Sequence, residues 1–107
     1  MTTPVTLTPP ELKARLDAGG LTLLDVREAD ELAVARIEGC VHIPLGELPG
    51  RTGEREADAE IVVMCHHGVR SERGARILLQ AGFTRVSHLG GGIHAWSEQV
   101  DASVPTY

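Results

Sequence analysis

Two apolar runs constrain this chain more than any other feature. Leu21 to Val26 (LTLLDV) and Ile61 to Met64 (IVVM) are almost continuously hydrophobic. They lack the every-second-residue polarity of a strand with one wet face, so each suits a strand covered on both sides. A segment of helical character follows each run. Strands that alternate with helices and are buried on both faces imply a parallel sheet with helices packed above and below it.

The helices are marked by their ends. Thr8-Pro9-Pro10-Glu11 reads as a capping box, with Thr8 as cap, Pro9 at the first helical position and Glu11 reaching back. Leu7 and Leu12 occupy the two positions of a hydrophobic staple, and the Gly19-Gly20 pair ends the helix. Glu28 to about Ala35 reads as a second helix, and Val41 to Ile43 as a short strand closed by Pro44. The stretch 46–59 reads as a loop holding one helical turn. Ser71 to Ala81 is amphipathic, with Ala75, Leu78 and Leu79 on one side and Glu72, Arg73, Arg76 and Gln80 on the other. A strand at Val86 to Leu89 and a helix at Ile93 to Val100, entered through Gly90-Gly91-Gly92, complete the pattern. The expected fold is α/β: a central, mostly parallel sheet of four to five short strands, flanked by helices on both faces.

At 107 residues the chain suits a single domain spanning 1–107. Ten basic against fifteen acidic residues give a formal charge of −5, which argues against nucleic acid as a partner. Between Val69 and Arg85 the balance reverses to four arginines against one glutamate, leaving room for a local anion site. No apolar run approaches the length of a membrane span, and the first residues lack the basic and apolar regions of a secretory signal. With only Cys40 and Cys65 present, two free thiols in the cytoplasm are expected, with no disulfide.

The chemistry concentrates in Cys65-His66-His67-Gly68-Val69-Arg70-Ser71. Here a buried strand ends, a cysteine follows at once, five residues turn, and a helix begins. In an open parallel sheet, ligands bind beyond the carboxyl ends of the strands, where Cys65 falls. Gly68 permits a backbone that curls its N–H groups inward. The next helix aims its positive end at the same point, and Arg70 stands beside it. All three features favour an anionic, nucleophilic sulfur.

This segment resembles the active-site loop of the rhodanese family. Leu24 to Glu28 (LDVRE), Val41 to Leu45 (VHIPL) and Gly90 to Trp96 (GGGIHAW) resemble that family's other signatures, in the same order. The resemblance runs from about Leu7 to Tyr107. It implies a rhodanese-like fold and a ping-pong sulfurtransferase. Cys65 takes the outer sulfur of thiosulfate or another small sulfur donor, the amides of residues 66 to 70 cradle it, and a thiophilic acceptor removes it. That acceptor is cyanide, a thiol or a sulfur-carrier protein. The resemblance implies no metal and no organic cofactor. The sequence departs from the family pattern at Ala35-Arg36, where Gly-His is frequent, and at Cys40, where a smaller residue is usual.

The remaining polar residues have plainer readings. Asp25 and Arg27, ending a core strand, are expected to pair and support the rim, since buried charges need partners. Cys40 is expected to be a buried small hydrophobe, its alternative being a resolving thiol. Adjacent histidines do not easily aim at one metal, and no CxxC pair accompanies them, so His66 and His67 are read as rim residues that meet an incoming anion. His42, His88 and His94 are expected at the surface or just behind the site. Trp96 is expected to anchor the last helix, and Glu72 and Arg76 to pair along theirs. Three rivals follow. A phosphatase or arsenate reductase of similar architecture has a longer Cys-x5-Arg loop than the Cys-x4-Arg found here. A persulfide carrier serving one partner would share the reactive Cys65. A non-catalytic adaptor would usually have lost that cysteine.

Overall fold

The computed structural model describes residues 4–107. Five strands and four helices follow one another as β1 (Val5–Leu7), α1 (Pro9–Ala18), β2 (Thr22–Asp25), α2 (Ala29–Val34), β3 (Val41–His42), β4 (Glu60–Met64), α3 (Val69–Gln80), β5 (Arg85–Leu89) and α4 (Gly92–Gln99). The strands form one sheet in the order β1-β5-β4-β2-β3, and every pairing is parallel. β4 lies at the centre, and its Ile61, Val62, Val63 and Met64 are wholly buried. Its apolar run therefore lacks alternation because both faces are covered.

Successive side chains on a strand point to opposite faces, and the core divides accordingly. Val62 and Met64 join Leu12 of α1 with Ile93 and Trp96 of α4. Ile61, Val63 and Cys65 join Ala75 and Leu78 of α3. β4 thus sends its helix to one face and β5 sends its helix to the other. The connections that leave the carboxyl ends of these two neighbouring strands part there, and a crevice opens at such a point in parallel sheets.

The capping box at the start of α1 forms as expected: the Thr8 amide donates to Glu11 Oε1 at 2.9 Å, and the Glu11 amide to Thr8 Oγ1 at 3.3 Å. Leu7 and Leu12 are both buried in the same cluster. Trp96 lies there too, and Glu72 and Arg76 pair at 3.3 Å. The stretch 46–59 holds two short 3-10 turns, Leu48–Gly50 and Thr52–Glu54, where one helical turn is expected from sequence. Two other features differ from the sequence reading. Val5–Leu7 forms an edge strand on β5, too short for an apolar period and separated from Pro9-Pro10 by Thr8 alone. Helix α3 begins at Val69, two residues early, because Gly68 caps it through a left-handed backbone (φ 109°) and no capping side chain marks the position.

Candidate active site

Cys65 follows the last residue of β4 and is almost completely buried. Its Sγ accepts two backbone hydrogen bonds, from the amide of Gly68 at 3.1 Å and that of Ser71 at 3.2 Å. Both donors belong to the cap and first turn of the twelve-residue helix α3. The sulfur therefore sits where unpaired helical N–H groups and the positive end of the helix dipole converge. Because α3 starts at Val69, Arg70 lies in the first helical turn and not in the loop before it.

Polar side chains hold this loop from behind. Ser71 Oγ donates to the Gly68 carbonyl at 3.0 Å and lies 3.0 Å from His88 Nδ1, and His88 Nε2 lies 3.0 Å from Thr6 Oγ1. With the serine proton committed to Gly68, the consistent assignment has His88 donating from Nδ1 and accepting the threonine hydroxyl at Nε2. Burial pushes the His88 pKa down, which keeps the ring neutral as this assignment requires. His88 thus lies behind the site and is not a surface residue.

The glycine run of the β5–α4 turn holds the loop from the side. A Cβ on Gly92 would collide with the carbonyl groups of His66 and Cys65. Without it, the Ile93 amide reaches the Cys65 carbonyl at 2.9 Å and the His94 amide reaches the His66 carbonyl at 3.2 Å. Helix α4 is thereby tied to the two residues that open the loop between β4 and α3.

Two arginine–carboxylate pairs support the site, one buried beneath the rim and one at it. Arg27 grips Asp25 with a fork, Nε to Oδ1 at 3.0 Å and Nη2 to Oδ2 at 2.7 Å, with both side chains fully buried. The Ala35 carbonyl and the Tyr107 hydroxyl take further guanidinium protons at 2.7 Å each. The paired network expected of Asp25 and Arg27 is present. Arg70 makes the second fork, Nη1 to Glu31 Oε1 at 2.6 Å and Nη2 to Oε2 at 2.9 Å, and is about one-third exposed. Glu31 also accepts the Glu28 amide at 3.0 Å and the Tyr107 hydroxyl at 2.8 Å. The hydrogen bonds from Arg70, opposed by burial and aided by the Glu28 amide, lower its pKa to about 2.

Glu31 and Tyr107 are rim residues that sequence reasoning missed. Glu31 lies 39 positions from its arginine, and Tyr107 lies 80 from Arg27. Tyr107, the chain's single tyrosine, stacks on His66 at 3.8 Å with the rings 2° from parallel. His67 is exposed, as is Val69 beside it. His42 Nε2 lies 2.6 Å from the Arg27 carbonyl, behind the rim. Cys40 is half-buried against the core, and its pKa is raised by burial and then by the Asp25 charge, which disfavours a reactive thiolate.

The site thus has a buried thiol at a strand end, two amides on its sulfur and Arg70 in the helical turn beside it. The family model for the rhodanese-like domain matches residues 8–99. The chain belongs to the rhodanese-like family. The Bacillus subtilis relative named "Putative sulfur carrier protein YrkF" is 40% identical over 90 residues, covering 83% of this chain and 49% of that protein. This chain thus spans about half the length of YrkF, and 27% of the Mycobacterium tuberculosis relative MoeZ. Thiosulfate sulfurtransferase GlpE of Pseudomonas aeruginosa is 33% identical over 87 residues, covering 81% of this chain and 79% of its own. Among solved structures, a rhodanese-related protein of Thermoplasma volcanium superposes with a TM-score of 0.82 at 31% identity, covering 90% of this chain and 93% of that one. The human single-domain sulfurtransferase TSTD1 gives 0.82 at 26% identity, covering 92% and 98%. The rhodanese-like fold expected from the four motifs is the fold observed.

Proposed function

We propose that this rhodanese-like protein is a sulfurtransferase whose Cys65 carries the transferred sulfur as a persulfide. The observation that supports this best is the pair of amide hydrogen bonds on Cys65 Sγ at the start of α3. Donors fixed in this way favour negative charge on sulfur before and after transfer and need no reorganisation during it. The thiolate attacks the outer sulfur of thiosulfate. An S–S bond forms to Cys65, the S–S bond of thiosulfate breaks, and sulfite leaves with the electron pair. Cyanide or a thiolate then attacks the outer sulfur of the persulfide, and the Cys65 thiolate departs with its electrons. His66, His67 and Gly68 form the loop around the sulfur, Val69 and Arg70 the first turn of α3 beside it, with Ser71, Asp25 and Arg27 in support. The chemistry asks for no cofactor.

The fork between Arg70 and Glu31 favours a loop-holding role for this arginine over capture of donor oxyanions, since both Nη groups already face a carboxylate. The same commitment weakens the phosphatase alternative, in which the arginine must be free to grip phosphate. A non-turnover carrier remains a second reading, favoured by the name of YrkF.

Intact mass after thiosulfate treatment tests the assignment. One added sulfur is expected on the wild type and none on Cys65→Ser, with thiosulfate:cyanide transfer abolished and the circular dichroism spectrum unchanged. Near-wild-type turnover in Cys65→Ser would sink the proposal. A sulfur that loads once but is not turned over with cyanide or small thiols would select the carrier reading.

A further inference from the structure

We propose that His66, His67 and His94 form a binding site for one divalent d-block cation, typified by Zn2+, at the mouth of the active-site loop. The inference is independent of the sulfur-transfer reading. The sequence argues against a metal on His66, His67 and Cys65, because adjacent histidines converge poorly and no CxxC pair accompanies them, and it gives no sign of His94. The fold adds a third ring. The amide tie between His94 and the His66 carbonyl, which Gly92 permits, brings α4 against the loop. One ring nitrogen from each of the three histidines then lies within 4.8 Å of the other two.

Two of these rings carry nitrogens that nothing else uses. His66 Nε2 and His94 Nδ1 are buried and have no hydrogen-bond partner among the described residues. A buried polar atom without a partner is available to a ligand, and a metal ion is a partner for an imidazole nitrogen. The opposite nitrogen of His94, Nε2, lies 3.5 Å from Glu98 Oε1 one helical turn away. A small shift of Glu98 would let it accept the Nε2 proton and leave the lone pair on Nδ1, as carboxylates do for metal-bound histidines. The stacked Tyr107 ring fixes the plane of His66.

The donor set selects the ion. Three imidazoles without carboxylate or thiolate suit Zn2+, Ni2+ or Cu2+, and not Mg2+ or Ca2+. A tetrahedral ion with metal–nitrogen bonds of about 2.0–2.1 Å needs its ligand nitrogens about 3.4 Å apart. The cluster must therefore tighten, and exposed His67 is the member able to swing inward. Three protein ligands leave one position for water or another small ligand. The Cys65 sulfur is not part of the cluster.

The test is equilibrium dialysis of the full chain against zinc, with cobalt substitution to read the ligand set. One equivalent is expected, with a tetrahedral cobalt spectrum that lacks a thiolate-to-metal charge-transfer band. His94→Ala should weaken binding by about a hundredfold or more, and Glu98→Gln by roughly 10- to 100-fold. Cys65→Ser should leave affinity and spectrum unchanged. Glu98 is exposed and His94 half-buried on α4, and circular dichroism would confirm that each variant is folded. Equal binding by wild type and His94→Ala would overturn the site, as would no binding at micromolar zinc. A charge-transfer band that disappears in Cys65→Ser would replace it with a cysteine-ligated one.

Discussion

The two arginine–carboxylate forks, one beneath the rim and one at it, have nearly the same geometry and very different surroundings. Asp25 and Arg27 are two residues apart and fully buried, and the guanidinium protons are shared with Ala35 and Tyr107. Glu31 and Arg70 are 39 residues apart and partly wet. The Tyr107 hydroxyl joins them, accepting from Arg27 and donating to Glu31. The difference teaches that a fork's worth depends on what remains if it is cut. Removing a partner from the buried fork strands a charge in the core, whereas removing one from the rim fork hands the other to solvent.

The largest effect should therefore come from the buried fork. Arg27→Ala leaves Asp25 buried and unpaired and should cost about 3–5 kcal/mol, read by urea denaturation. A loss below about 1 kcal/mol would mean that solvent reaches Asp25 and that the contrast is false. Next comes Arg70→Ala, which should lower kcat/KM about 10- to 100-fold, in line with lost charge-assisted hydrogen bonds. If Arg70 holds the loop, thiosulfate and an uncharged persulfide donor suffer alike. A loss confined to thiosulfate would show that Arg70 leaves Glu31 to bind the donor.

These two forks also show how legible the site was. Asp25 and Arg27 end an apolar run, where a charge must have a partner, so their pairing could be read from neighbouring positions. Cys65, Gly68 and Ser71 could be read for a similar reason, because strand, turn and helix start lie in one continuous segment. Glu31, Tyr107 and His88 could not, because their roles arise only when distant segments meet. The start of α3 was misplaced by two residues because Gly68 caps through backbone conformation and leaves no side-chain signal. The apolar runs gave the parallel sheet, while the three-residue strand β1 was too short to show any period.

A smaller effect concerns acid. The folded pKa of Glu31 is lowered from an ordinary 4.5 to about 2. A depressed carboxylate contributes stability that is fully present above its unfolded pKa and lost as pH falls through the folded value. The stability gap between wild type and Glu31→Gln should therefore hold constant from pH 7 to about 5. It should then close between about pH 4.5 and 2, with a plateau of about 0.5–1 kcal/mol for a partly wet pair. A gap already closing near pH 6 would show that another group governs the fork. The smallest effect is expected at Cys40, whose thiolate is disfavoured by burial and by Asp25. Cys40→Ala should keep turnover within a few-fold, and a large loss would favour a two-thiol relay.

The edge pairing of β1 with β5 has a temporal consequence. Thr6 meets His88 across 82 positions, and His88 holds Ser71, whose hydroxyl holds Gly68. On the ribosome, β4 and α3 emerge before β5 exists, so the segment bearing Cys65 is synthesised without the support that orders it. Long-range parallel pairings close late because the entropy of closing a long loop is lost before any contact rewards it. A nascent chain halted before Arg85 should therefore hold Cys65 without its ordered amides, and should take up sulfur from thiosulfate only once the last strand docks.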